Sequence, residues 1–158
     1  MGSKMYRIAI DPGLTATGFA VFSNGNVDEV GTIRPKGSVR SDKLLSLAQQ
    51  LRVFYQNTWV KFQAKCDQVV IEQWESHSPV NRFQTMVACA EARGVIFALS
   101  SEFCDSISYL SKGKTPKTEA DWWAANLGIA GSEHARDALH LGLLAGFCDG
   151  VKRHKRGA

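Results

Sequence analysis

The chain has 158 residues, of which 44% are hydrophobic and 22% charged, enough for one compact domain with a real core and too short for two. No apolar run approaches the roughly 18 to 20 residues of a membrane span, and no charged region followed by a signal-peptide core opens the sequence, so a soluble, cytoplasmic protein is expected. The formal net charge of +4 permits a polyanionic partner without requiring one.

Residues 1–4, ahead of a second methionine at Met5, read as a cloning remnant, leaving a single domain over 5–150 and a basic tail over 151–158. Alternating apolar residues predict strands over 6–10 and 18–23, and Asn24-Gly25-Asn26 turns the second into a third over 27–34. After the loop at 35–41, Leu44, Leu47, Leu51, Phe54 and Tyr55 recur at helical spacing, predicting an amphipathic helix to Phe62. The apolar run "QVVIEQ", 68–73, suits a covered central strand. A second helix is predicted over 80–100, a fifth strand over 107–110, then the basic loop "SKGKTPK". Thr118 with Asp121 resembles a capping box for a helix to Leu127, and Ser132 is the expected N-cap of a last helix reaching Asp149. The order β-β-β-α-β-α-β-α-α implies an α/β fold: a mixed five-stranded sheet with helices on both faces.

In such a sheet the first and fourth strands are expected as parallel neighbours, ending at the edge where open α/β sheets place their sites. Asp11 and Glu72 end those strands. Two carboxylates about 5 Å apart repel unless a cation lies between them, and a divalent ion meets that need. The plainer alternative has Asp11 capping the Pro12-Gly13 turn and Glu72 paired with an arginine. In "GSEHARDALHLGLLAG", His134 and Asp137 share one face of the first helical turn, where the helix dipole disfavours imidazolium and keeps His134 neutral and able to bind metal. A surface histidine with a dipole-serving aspartate is the bland reading, and Glu133 is a rival ligand. The four cysteines, Cys66, Cys89, Cys104 and Cys148, lack the spacing of zinc or redox motifs and are read as reduced thiols.

"IDPGLTATGFAV", "VVIEQ", "EARGV" and "HARDAL" together resemble, in order and over most of the chain, the signatures of RuvC-type Holliday-junction resolvases of the RNase H-like superfamily. The resemblance implies a homodimeric crossover-junction endonuclease acting on four-way DNA in recombination and repair, with the second helix at the dimer interface. It places metal ligands on Asp11, Glu72 and Asp137, and on His134 where relatives often carry aspartate. It implies two Mg²⁺ or Mn²⁺ ions per site, bridged by Asp11, hydrolysing a phosphodiester without a protein nucleophile. With three carboxylates ionised the site carries −3 rather than −4, and imidazole suits Mn²⁺, so a Mn²⁺ preference is expected. Lys117 is taken as the catalytic lysine. Lys112 and Lys114 in the same loop are its rivals and share its expected contact with DNA, although a merely solvated loop is the alternative. Trp74 matches an aromatic that stacks on an unpaired junction base, worth roughly 1 to 3 kcal/mol, and Arg82 is expected on backbone phosphates. A rim tryptophan and an ordinary surface arginine are the plainer readings.

Phe83, Met86, Val87 and Ala90 stripe the second helix with apolar groups that suit either a dimer interface or its own sheet. Trp122 and Trp123 fit the core and carry no role, and the tail Lys152-Arg153-His154-Lys155-Arg156 is solvated surface or a polyanion contact. Branch-migration machinery is a further expected partner. The competing functions are another RNase H-like nuclease acting on branched DNA or an RNA–DNA hybrid, and an idle nucleic-acid-binding module. An actin-like ATPase would need a second domain.

Overall fold

The computed structural model describes residues 5–73, 83–113, 117–128 and 132–148. Five strands, β1 (Tyr6–Asp11), β2 (Thr17–Ser23), β3 (Asn26–Ile33), β4 (Gln68–Glu72) and β5 (Ile107–Leu110), alternate with four helices, α1 (Arg40–Phe62), α2 (Phe83–Phe103), α3 (Thr118–Asn126) and α4 (Glu133–Leu144). The strands form one sheet in the order β3-β2-β1-β4-β5. The meander β1-β2-β3 is antiparallel, whereas β1 with β4 and β4 with β5 are parallel, because α1 and α2 carry the chain back across the sheet. The predicted element order and mixed sheet are therefore the observed ones.

The period of two along each strand divides the interior between two faces. Tyr6, Ile8 and Ile10 of β1 pack with Val69 and Ile71 of β4 against Leu47 and Leu51 of α1 and Ala92 and Ile96 of α2. Ala9, Ala20, Phe22 and Val70 point the other way, onto Ala138, Leu139 and Leu141 of α4 and Ala120 of α3. Leu47 and Leu51 are fully buried, and each such leucine contributes roughly 1.5 to 3 kcal/mol by leaving water. The four cysteines are all free thiols. Among the described residues no helix is long and apolar enough to cross a membrane.

Several element ends differ from expectation. Helix α1 starts at Arg40, inside the predicted loop, with Val39 as an N-cap that offers no side-chain bond. Among the described residues helix α2 covers Phe83–Phe103 and so runs three residues past its predicted end at 100, while the predicted start at 80 lies outside the described residues. The Thr118/Asp121 capping box does not form: Thr118 is already helical and the cap position falls on Lys117, again without a side-chain bond. Helix α4 stops at Leu144 rather than Asp149, because Gly146 turns into the left-handed region at φ 78°. Ser132 does cap α4: its Oγ accepts the Ala135 N–H at 3.4 Å and stands 2.9 Å from Thr32 Oγ1 of β3, tying helix to sheet.

Candidate active site

The register decides where the acids meet. Ile10 pairs with Ile71 across β1 and β4, so Asp11 and Glu72 occupy the next rung and, by alternation, face the same side as Ala9 and Val70, toward α4. Thr17 Oγ1 closes the Pro12-Gly13 turn by donating to the Gly13 carbonyl at 2.7 Å and accepting the Gly13 N–H at 3.1 Å. Asp11 is left buried, with 7% of its surface exposed.

Helix α4 reaches this edge because two side chains are missing. A Cβ on Gly18 of β2 would lie 1.8 Å from the His134 carbonyl oxygen, and one on Gly142 of α4 would lie 2.2 Å from the Phe22 ring. Backbone and sheet thus approach more closely than any other residue permits. The first turn of α4 then delivers His134 and Asp137. His134 Nδ1 stands 3.5 Å from Asp11 Oδ2.

Two lysines complete the cluster. Lys112, two residues past the end of β5, places Nζ 3.2 Å from Glu72 Oε1, 3.5 Å from Asp137 Oδ2 and 3.9 Å from Asp11 Oδ1. Lys117, just ahead of α3, bonds Asp137 Oδ1 from the more exposed side. Asp11, Glu72, Lys112, His134 and Asp137 line a cleft of about 250 Å³ together with Pro12, Met86, Cys89 and Arg93.

The electrostatics are strongly interdependent. Burial works against the charge of Asp11, yet hydrogen bonds to His134 and Glu72 and the nearby Lys112 charge hold its carboxyl below the ordinary range. Burial, then the hydrogen bond and charge of Asp11, push Glu72 up to about 8 against the pull of Lys112. Near neutral pH the metal-free pair therefore retains a proton between them. The hydrogen bond with Asp11 raises His134 despite partial burial, which corrects the expectation that the helix dipole keeps this imidazole neutral. A carboxylate in contact outweighs half a charge spread over a helix end. Its bond to Asp137 likewise raises Lys117.

Three carboxylates and an imidazole from β1, β4 and α4 thus surround a volume that already holds a cation, the Lys112 ammonium. The donor set, hard oxygens with one nitrogen, fits Mg²⁺ or Mn²⁺. Among the described residues no three such donors stand close enough to one another to grip an ion.

Of the residues expected at the site, Asp11, Glu72, His134, Asp137 and Lys112 line the cleft, and Lys117 stands at its rim on Asp137. Glu133, the rival ligand, is exposed and does not line it. Trp74, Arg82 and Lys114 lie outside the described residues. Trp123 packs against the α4-side core as expected, whereas its edge-on neighbour Trp122 is exposed. Met86 and Ala90 of the α2 stripe turn out to line the cleft, along with Cys89 and Arg93. Sequence reasoning gave neither Cys89 nor Arg93 a role; Arg93 stands in the "EARGV" signature, whereas nothing in the sequence marks Cys89.

Among solved structures the chain is similar to Thermus thermophilus RuvC, with a TM-score of 0.62 and 15% identity over 88% of this chain and 92% of that one. It is also similar to T. thermophilus RuvC in complex with a Holliday junction substrate, with a TM-score of 0.55 and 14% identity over 88% and 90% of the two chains. A yeast mitochondrial Holliday junction resolvase aligns with a TM-score of 0.46 and 14% identity, over 77% of this chain and 57% of that one. No family model and no curated protein matches the sequence. At these identities the likeness is one of fold: the mixed five-stranded sheet with its helices is the arrangement seen in T. thermophilus RuvC.

Proposed function

We propose that the protein is a structure-specific endonuclease that resolves four-way DNA junctions by paired symmetric nicks. The observation that carries this reading is the convergence of Asp11, Glu72, His134 and Asp137 on one cleft at the strand ends of a RuvC-like sheet. That T. thermophilus RuvC, of like fold, was captured with a Holliday junction supports branched DNA as the substrate class.

In this mechanism Asp11, Glu72, Asp137 and His134 would hold divalent ions, Mg²⁺ or Mn²⁺. Such ions, when bound, turn water into a nucleophile and stabilise the leaving 3′ oxygen of a phosphodiester. Asp11 lies deepest and touches both the Glu72 and the His134 sides of the cluster, so it is the residue that spans the two halves of the site. Lys117 at the cleft rim and Lys112 within the cleft supply ammonium groups that would offset charge developing on the phosphate. Arg93, half-buried in the α2 wall, adds a fixed guanidinium suited to a phosphate oxygen. Trp74 is assigned to stack on an unpaired base at the junction centre, and Arg82 and Lys114 to contact the DNA backbone. The single imidazole among the ligands favours Mn²⁺ over Mg²⁺. Two cuts related by symmetry require two sites related by a twofold axis, hence a homodimer.

The test is cleavage of a mobile four-way junction, a linear duplex and an RNA–DNA hybrid by the wild type and Asp11→Asn, in Mg²⁺ or Mn²⁺. Symmetric nicking of the junction alone, lost in the variant and faster in Mn²⁺, is expected. Cleavage of only the hybrid, or binding without cleavage by the wild type, refutes the reading. Sedimentation of the free protein should give a dimer.

A further inference from the structure

A lysine is almost never buried unless paired, and Lys112 is paired three times over. With only 12% of its side chain exposed, its ammonium faces carboxylates from β1, β4 and α4 at once. The exposed pairs elsewhere, such as Arg52 with Glu102, join one cation to one acid. Lys112 instead lies at the focus of the cluster, where the divalent ions of the proposed reaction would be held, and two cations do not share that space without strong repulsion. A route out exists. The next residue, Gly113, has φ 56° and open space where a Cβ would stand, so the backbone can reorient there without a clash.

We propose that Lys112 is the resident counter-ion of the metal-free site: its ammonium stands in for the divalent ion, competes with metal loading and swings out into the cleft when the metal enters. The lysine then does two jobs in sequence. While the site is empty of metal it offsets the repulsion among Asp11, Glu72 and Asp137. Once displaced it presents a positive charge at the cleft mouth, on the approach of a phosphate. Loading of metal and arming of the lysine become one event. The inference rests on the metal-site reading above.

Binding of Mg²⁺ or Mn²⁺ alone, without DNA, is measured by titration calorimetry on the wild type, Lys112→Met and Lys112→Arg. Competition predicts that Lys112→Met binds the first ion about tenfold more tightly, within the usual range of coupling between sites, while Lys112→Arg stays near the wild type. Unchanged or weaker binding by a folded Lys112→Met overturns the proposal. A second measurement uses the wild type only: acetylation by acetic anhydride, read by mass spectrometry, should speed up severalfold at Lys112 when the ion is added. Saturation with metal that leaves Lys112 labelling unchanged overturns it as well. If the wild type binds metal and cuts no nucleic acid, the nuclease reading fails while these two measurements still decide the role of Lys112. If neither wild type nor Lys112→Met binds a divalent ion, both fail.

Discussion

Glu72→Gln provides the sharpest check on the electrostatics of the site. Unfolded, the Glu72 carboxyl ionises near its ordinary 4.5; folded, burial and Asp11 push it up to about 8. Between those values the folded chain holds a proton that the unfolded chain has lost, so this contribution is complete below about pH 4.5 and drains away as pH rises toward 8. At about 1.36 kcal/mol per pH unit, the loss by pH 8 reaches at most about 5 kcal/mol, and sharing of the proton with Asp11 reduces the part assignable to Glu72. Glutamine keeps the shape and never ionises. The metal-free variant should therefore melt at or near the wild-type temperature at about pH 5 and above it at about pH 8. Each kcal/mol is worth roughly 2 to 4 °C in a domain of this size. The assay is thermal unfolding in chelator across that range, followed by the same scan with saturating Mg²⁺ or Mn²⁺, where the order should reverse because only the wild type gains the ion's binding energy. A pH slope identical in wild type and variant, both in chelator, refutes the raised titration of Glu72.

Gly18→Ala places a methyl 1.8 Å from the His134 carbonyl oxygen. Helix α4 must shift, costing about 1 to 3 kcal/mol in melting experiments and reducing junction cleavage by more than the stability loss explains. Tyr55→Phe removes the buried 2.5 Å bond between Tyr55 Oη and Ser100 Oγ; denaturant titration should show about 1 to 3 kcal/mol lost with metal affinity unchanged. His134→Asp restores an all-carboxylate set, so the ratio of cleavage rates in Mn²⁺ and Mg²⁺ should move toward Mg²⁺.

Much of this was legible because strands announce themselves by alternation. Alternation in "YRIAID" and the short apolar run in "QVVIE" marked β1 and β4 and the strand ends that carry Asp11 and Glu72. The reach of α4 was less visible, since Gly18 gives no pattern of its own and gains meaning only from the carbonyl pressed against it. Gly146 lies inside the helix predicted to Asp149, and a glycine there is a readable stop signal for α4. The ranking of Lys112 against Lys117 depends on how the chain leaves β5, and no propensity specifies that course. The direction in which His134 is shifted was misjudged for a related reason: the helix end is a local feature, whereas Asp11 arrives from far away in sequence and acts on the imidazole directly.

The two glycines that seat α4 have a bearing on how the site tolerates change. Gly18 lies in the sheet and receives helix backbone; Gly142 lies in the helix and receives a sheet ring. Each gap is filled by the opposite partner, so a slide of the helix along its axis meets a collision at one end or the other. The spacing between Asp11 and Glu72 on the strands and Asp137 on the helix is then set by this interlock, which serves as the yardstick of the site.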